Sequence, residues 1–229
     1  MMKISINLIL LLSIITISST SAAEEKQLVN ILCIGDSVTQ GGHLIGEYTY
    51  RLPLQNKLSN HPTIKADFIG TQHKGLDDSF QWPSHFDPDH QGYYGAKTQE
   101  VADLLTASIQ ALETIDIAII HLGSNDQANV SESTITQPLT KIINLLRSNN
   151  SAVNIIIIQI PGDYNDLMHY LTWKVAYDLN QENSPIKVIP LFLTWDIDKD
   201  TFDGAHPNLL GQEKIANLVY EKINELITK

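Results

Sequence analysis

Five short runs of apolar and β-branched residues recur along the chain, and longer segments with a helical repeat of apolar positions separate them. A strand buried on both faces of a sheet reads as a continuous apolar run, whereas an amphipathic helix repeats its apolar positions every three to four residues. The alternation predicts a three-layer α/β domain, with helices covering both faces of an open parallel five-stranded sheet. The predicted strands cover residues 28–34, 64–69, 115–121, 153–160 and 186–189. The predicted helices cover residues 47–58, 97–112, 132–148, 164–181 and 208–228.

The first 23 residues have a different pattern from the rest of the chain. Lys3 is followed by an apolar run over residues 4–17 and then by small residues up to Ala23. This order is typical of a secretory signal peptide, and we expect cleavage after Ala23 and an extracytoplasmic protein. The run is shorter than the roughly 20 residues of a membrane span, so stable membrane association is not expected; a retained anchor is the alternative. Residues 24–229 are predicted to form a single domain.

Charge and cysteine content narrow the possible functions. The 229 residues include 15 Lys and Arg against 26 Asp and Glu, a net charge of −11 that opposes binding to nucleic acids and to anionic membranes. The single cysteine, Cys33, excludes an intramolecular disulfide and lies in the first predicted strand, where we expect it to act as a small buried hydrophobic residue. Neutral or cationic substrates therefore fit the chain better than polyanions.

Predicted loops at one edge of the sheet contain reactive side chains. Ligands of open parallel sheets bind beyond the carboxyl ends of the strands, and Ser37 closely follows the first strand. Asp203 precedes His206 by three residues, in a turn that begins at Gly204 and ends at Pro207. This arrangement fits a serine nucleophile whose proton is taken by His206, with Asp203 orienting the imidazole. The alternative is that Ser37 and Asp203 are ordinary turn or helix-capping residues.

Two further residues are candidate hydrogen-bond donors to a developing oxyanion. Asn125 follows the third predicted strand and has a side-chain amide. Gly95 has no side chain, so its backbone N–H can approach a substrate closely. Taken alone, each residue is equally compatible with an ordinary position in a loop.

The reactive segments occur in an order that resembles a known family. GDS at residues 35–37, Gly95, GSND at residues 123–126 and DGAHPN at residues 203–208 resemble the four sequence blocks of the SGNH hydrolases, also called the GDSL esterase and lipase family. The resemblance covers nearly all of the chain after the signal segment, and it implies neither a metal nor a cofactor. It implies a flavodoxin-like sheet, a catalytic triad of Ser37, Asp203 and His206, and an oxyanion hole made of the Ser37 N–H, the Gly95 N–H and the Asn125 side chain.

A narrower resemblance is to carbohydrate esterases of the acetylxylan esterase type. The segments GDSVTQGG, YRLPLQNKL, DFIGTQ and DPDHQGYYGAKTQEV are similar to segments of those enzymes. The likeness implies the removal of acetyl groups from a plant polysaccharide or its oligosaccharides, with Arg51 orienting substrate or nearby loops. Arg51 is otherwise interpreted as a surface or ion-pairing residue. Ala96 stands where these enzymes have an aromatic residue, and Val38 where they have isoleucine or leucine, which leaves the triad unchanged.

Several other polar residues have weaker interpretations. Residues 71–95 form the longest segment without clear periodicity, and their composition predicts an ordered polar wall beside the cleft. His121, at the end of the third predicted strand, is predicted to be a hydrogen-bonded structural residue. Metal binding is disfavoured because no recognised ligand spacing is present in the one cluster of candidates, His85, Asp87, Asp89 and His90.

Two other functions remain as alternatives. A lipase, lysophospholipase or thioesterase would use the same triad on a long acyl chain, which requires an apolar trough. A non-catalytic carbohydrate-binding protein would retain the fold, although an intact triad argues against it. The α/β-hydrolase elbow GxSxG is absent, because Thr39 occupies the position of its second glycine. The favoured hypothesis is therefore a secreted serine esterase that acts on acetylated carbohydrate or another small ester.

Overall fold

The structure, a computed structural model, describes residues 25–43, 48–161 and 166–227. These residues form one sheet of β1 (Gln27–Gly35), β2 (Ile64–Ile69), β3 (Gln91–Gly92), β4 (Ile117–His121), β5 (Asn154–Ile158) and β6 (Ile186–Ile189). All of its strand pairs are parallel, and the spatial order is β2-β1-β4-β5-β6, with β3 paired to the last two residues of β1. The predicted parallel α/β sheet is confirmed. Only β3 was missed, because a two-residue strand leaves no apolar run.

Helices pack on both faces of the sheet, which confirms the three-layer architecture. The described α-helices are α1 (Ser37–Gln40), α2 (Arg51–Ser59), α3 (Thr98–Ser108), α4 (Gln137–Asn149), α5 (Asp166–Asp178), α6 (Ile197–Asp200) and α7 (Leu209–Ile227). One hydrophobic cluster joins α3, α4 and α5 to the sheet, and a second joins α2 and α7 to the opposite face. The very short α1 and α6 border the site described below, and α1 also contributes Val38 to the second cluster.

Strand β4 shows how the sequence produces these two cores. Ile117 and Ile119 belong to the cluster on the side of α2 and α7, whereas Ala118 and Ile120 belong to the cluster on the other side. Successive side chains of a strand point to opposite faces, so a strand covered on both faces must be apolar throughout. Cys33 in β1 is fully buried in the same way, and this burial raises the pKa of its thiol to about 12.

The sequence analysis predicted a signal peptide that does not span a membrane stably. The predicted signal segment, residues 1–23, lies outside the described residues. Within residues 25–43, 48–161 and 166–227, no helix combines the length and the apolar character that a membrane span requires.

Candidate active site

Ser37, near the start of the described chain, and two residues of one turn near its end, Asp203 and His206, form a continuous series of hydrogen bonds at the carboxyl edge of the sheet. The hydroxyl Oγ of Ser37 lies 3.0 Å from Nε2 of His206. Nδ1 of the same imidazole lies 2.7 Å from Oδ2 of Asp203. With Nδ1 protonated and donating to the carboxylate, Nε2 is left to accept the serine proton. The geometry is that of a nucleophile, a general base and a carboxylate that orients the base.

Ser37 is held by the tight connection that follows β1. It begins α1, and the carboxylate Oδ1 of Asp36 accepts the backbone N–H of Val38 at 3.1 Å, which caps this short helix. The backbone N–H of Gly41, a residue with φ of +65°, donates to the Ser37 carbonyl at 2.8 Å. Only glycine adopts this backbone conformation without steric cost. The turn therefore fixes both the hydroxyl of Ser37 and its backbone N–H.

Asp203 and His206 share one turn before α7. Oδ1 of Asp203 accepts the backbone N–H groups of Ala205 at 2.9 Å and His206 at 2.7 Å, while Oδ2 receives the imidazole. Gly204 between them has φ of +85°. Partial burial raises the pKa of Asp203, but hydrogen bonds from the backbone and ring of His206 outweigh this effect, so the pKa lies below its ordinary value. The carboxylate is therefore ionised at neutral pH.

The two candidate oxyanion donors lie on adjoining loops. The Asn125 side-chain amide donates to the Ala96 carbonyl at 3.0 Å, which uses one of its two N–H groups and leaves the second for a ligand. Gly95, with φ of +72°, has open space where a side chain would stand. The buried Asp126 carboxylate accepts both the backbone N–H and the hydroxyl of Thr98, at 2.9 and 2.7 Å. These bonds tie the loop of Asn125 to the start of α3.

Aromatic rings flank the imidazole, a feature that the sequence analysis missed. The Tyr94 ring lies 5.5 Å from the His206 ring at an interplanar angle of 24°. The Phe202 ring lies 5.8 Å from it at 18°. The imidazole is therefore packed between two aromatic side chains, which restrict the orientation of its ring. Tyr94 directly precedes Gly95 and Phe202 directly precedes Asp203. Their positions beside predicted site residues could have identified them from the sequence.

A cleft of about 300 Å³ opens beside the Ser37 hydroxyl. The loop of residues 204–207 forms one wall, and the loop that contains Asn125 forms another. Apolar side chains complete the lining, among them Trp195 and Ile197. The cleft is therefore a mixed polar and apolar surface that adjoins Ser37, His206 and Asn125.

Arg51 is fully buried, which excludes the predicted contact with substrate and also the alternative of a surface residue. Its Nε donates to the Thr39 carbonyl at 2.9 Å, and its Nη1 donates to the Pro88 carbonyl at 2.9 Å. Its Nη2 donates to the Gln40 carbonyl at 3.3 Å. Burial lowers the pKa of the guanidinium to about 10, so it remains charged at neutral pH. Arg51 orients loops: it joins the end of α1 to residues 88–89.

Residues 71–95 do not line the cleft, so the prediction that they form its polar wall is wrong. The cleft lining comes from other loops, and this segment reaches the triad through Tyr94. His90 is buried within the segment, where Nδ1 accepts the Gly92 N–H at 2.9 Å and Nε2 donates to the Lys74 carbonyl at 3.1 Å. Among the described residues, no group of three or more His, Cys, Asp or Glu side chains is arranged to hold a metal ion.

His121 differs from its prediction as a hydrogen-bonded structural residue. It is buried at the end of β4 and lines the cleft, yet neither ring nitrogen has a hydrogen-bond partner within the described part of the chain. Oδ2 of the buried Asp36 likewise has no partner there. The prediction of burial at the end of a strand is confirmed, and no other described residue supplies the predicted hydrogen bond.

Comparison with known proteins agrees with this geometry. The family model of GDSL-like lipases and acylhydrolases matches residues 31–219. A multidomain esterase of Ruminococcus flavefaciens is 28% identical over an alignment of 222 positions, which spans 85% of this chain and 28% of that protein. An arylesterase of Vibrio mimicus is 26% identical, over 95% of this chain and 98% of its own.

Solved structures share the fold. A family 3 carbohydrate esterase from Talaromyces cellulolyticus superposes with a TM-score of 0.69 at 23% identity, over 87% of this chain and 98% of its own. A family 3 carbohydrate esterase from Clostridium thermocellum gives 0.70 at 22% identity, over the same 87% of this chain and 98% of its own. The match over residues 31–219 establishes that the chain belongs to the family of GDSL-like lipases and acylhydrolases, enzymes that hydrolyse esters.

Proposed function

We propose that this protein is a secreted serine esterase that removes acetyl groups from a polysaccharide or its oligosaccharides, such as acetylated xylan. The observation that carries the proposal is the hydrogen-bonded chain from Ser37 through His206 to Asp203, which borders an open cleft. The basic start, apolar run and small residues before position 24 support secretion.

The first half of the reaction transfers the acetyl group to the enzyme. The Oγ of Ser37 attacks the ester carbonyl carbon while Nε2 of His206 takes the hydroxyl proton. The carbonyl oxygen becomes an oxyanion, which the N–H groups of Ser37, Gly95 and Asn125 stabilise. When this intermediate collapses, the bond to the alcohol breaks, and the imidazolium gives its proton to the departing oxygen. The products are a free hydroxyl on the sugar and an acetyl-serine.

The second half regenerates the enzyme with water. His206 takes a proton from a water molecule as the water oxygen adds to the acetyl carbonyl carbon. The same donors hold the second oxyanion, and its collapse expels the Oγ of Ser37, which takes back the proton. Acetate leaves, and the chain of hydrogen bonds is restored. Asp203 remains ionised throughout and stabilises the imidazolium in both halves.

Three observations favour an acetylated carbohydrate over other esters. The cleft of about 300 Å³ is much larger than an acetyl methyl group, so it has room for the alcohol part of a substrate. Its lining alternates polar groups with apolar side chains such as Trp195, whereas a long acyl chain requires a continuous apolar trough. Similar folds occur in the family 3 carbohydrate esterases of Talaromyces cellulolyticus and Clostridium thermocellum.

The test is acetate release from acetylated xylan, measured beside short-chain and long-chain nitrophenyl esters. We expect acetate release and a preference for nitrophenyl acetate, and Ser37→Ala abolishes both activities. The exposed Ser59→Ala on α2 is the matched control and retains both. A preference for long acyl chains would favour a lipase and overturn the acetyl assignment. Equal activity of Ser37→Ala and the parent would overturn the serine mechanism.

A further inference from the structure

The turn that carries the imidazole of His206 is exposed at its centre and anchored at its two ends. Residues 202–205 are exposed, whereas Thr201 and Pro207 are buried and form an isolated antiparallel bridge. The imidazole must nevertheless lie 3.0 Å from the Ser37 hydroxyl. The residues at which the turn begins and ends therefore determine whether the imidazole reaches this hydroxyl.

Asn208 directly follows the turn, and its side chain binds the segments on both sides of it. Nδ2 donates to the Lys199 carbonyl at 2.7 Å and to the Thr201 carbonyl at 3.1 Å. Oδ1 accepts the backbone N–H groups of Leu210 at 2.9 Å and Gly211 at 3.1 Å, in the first turn of α7. These partners fix the orientation of the amide, because carbonyls only accept and backbone N–H groups only donate. One side chain thus joins α6, the start of the turn and the start of α7.

Helix capping alone does not explain an asparagine at this position. Ser, Thr, Asp and Asn all cap the amino end of a helix, because each has a side-chain oxygen that accepts a backbone N–H. Of these four residue types, only asparagine also has two N–H donors. Both functions are used here, and the helix that is capped provides a rigid support. α7 is 19 residues long and packs in the core through Ile215, Val219 and Ile223.

We propose that Asn208 is a positioning residue, whose amide fixes the turn relative to α7 and so holds the His206 imidazole within hydrogen-bonding distance of Ser37. Asn208 does not line the cleft, so it acts through His206 and not on the substrate. This inference rests on the proposed function, in which His206 takes the Ser37 proton. Such a step depends steeply on geometry, because a displacement of about 1 Å can lower a rate about 10²-fold.

The test replaces Asn208 by aspartate and by serine. Both Asn208→Asp and Asn208→Ser keep an oxygen that caps α7, and both lose the two N–H donors to Lys199 and Thr201. We expect kcat for nitrophenyl acetate to fall about 10- to 100-fold in each variant, while KM stays within about twofold of the parent value. A loss of stability alone would not change kcat of the folded fraction in this way.

Asn150→Asp is the matched control. The Asn150 amide also donates to a backbone carbonyl, that of Ile115 at 2.8 Å, and its Oδ1 accepts the Ala152 N–H at 2.9 Å. Asn150 precedes β5 and therefore lies at the edge of the sheet opposite to the cleft. This variant should lower the thermal midpoint and leave kcat unchanged.

Two kinetic results would overturn the inference while the esterase assignment stands. One is parent-like kcat in folded Asn208→Asp and Asn208→Ser. The other is a rise in KM with unchanged kcat, which would indicate a contact with substrate. Hydrolysis of no ester by the parent would overturn the proposed function and this inference with it.

A measurement on the parent keeps the inference testable if neither variant folds. We expect the side-chain amide protons of Asn208 to exchange with water more slowly than those of the exposed Asn56, measured by NMR, because both are hydrogen-bonded to carbonyls. Equally fast exchange would overturn the inference.

Discussion

Asp203→Asn separates the electrostatic role of the carboxylate from its structural role. The asparagine carbonyl oxygen can occupy the place of Oδ1 and keep the backbone N–H bonds of Ala205 and His206. The amide nitrogen then replaces Oδ2, 2.7 Å from Nδ1 of the imidazole. Because an amide N–H donates, Nδ1 must become an acceptor and the ring proton moves to Nε2. Nε2 then donates to the Ser37 hydroxyl and no longer accepts its proton.

The size of the effect follows from these contacts. Loss of the charge-assisted hydrogen bond between Asp203 and the imidazolium of His206 raises the activation free energy by about 1.5–3 kcal/mol. The reversed tautomer removes the general base as well, so we expect kcat to fall about 10³- to 10⁴-fold, which corresponds to about 4–5.5 kcal/mol. The side chain of Asp203 is 40% exposed, so solvent screens its contribution to stability, and the thermal midpoint should change little.

The assay is steady-state hydrolysis of nitrophenyl acetate at neutral pH, with the thermal midpoint of each variant measured alongside. Asp198→Asn is the matched control, because it removes an exposed carboxylate on α6 outside the triad and should leave kcat unchanged. A folded Asp203→Asn enzyme with kcat within tenfold of the parent would refute the assigned tautomer.

Three other substitutions or treatments test separate parts of the structure. Asn125→Ala removes an oxyanion donor, and kcat for nitrophenyl acetate should fall about 10²- to 10³-fold; parent-like kcat would remove Asn125 from the oxyanion hole. Arg51→Leu leaves buried carbonyls without a donor, so the free energy of unfolding measured in urea should fall by about 3–5 kcal/mol. A fall below about 1 kcal/mol would contradict the role of Arg51 in joining α1 to residues 88–89. Because burial raises the pKa of Cys33 to about 12, iodoacetamide should label it only after unfolding, and labelling of the folded protein at pH 8 would contradict its burial.

The strands and the meeting of Ser37, His206 and Asp203 were predictable because the signals for both are local or ordered along the chain. A strand buried on both faces requires a continuous apolar run, and each run predicted a strand that the structure contains. The meeting of Ser37 with His206 follows from the parallel sheet, whose strand ends deliver their loops to one edge. β3 left no such signal, because Gln91 and Gly92 form a strand through pairing with the end of β1 and not through apolar side chains.

The burial of Arg51 and the hydrogen bonding of His121 depend on distant parts of the chain that no local pattern specifies. Arg51 donates to carbonyls that are 11 to 38 residues away in sequence, so its burial becomes apparent only when α1, α2 and residues 88–89 are assembled. The apolar run before His121 correctly indicates burial. Whether a buried imidazole has a hydrogen-bond partner depends on which residues surround it, and the described residues around His121 supply none.

The most direct test of the central claim is covalent labelling of the proposed nucleophile with a fluorophosphonate ester, followed by peptide mass spectrometry. A hydroxyl activated by an adjacent imidazole displaces fluoride and forms a stable phosphonate ester. We expect one adduct per chain, on the peptide that contains Ser37, with loss of esterase activity in step with labelling. His206→Ala should label far more slowly. An active enzyme that is inhibited through a different residue, or that acquires no adduct at all, would contradict the assignment of Ser37 as the nucleophile.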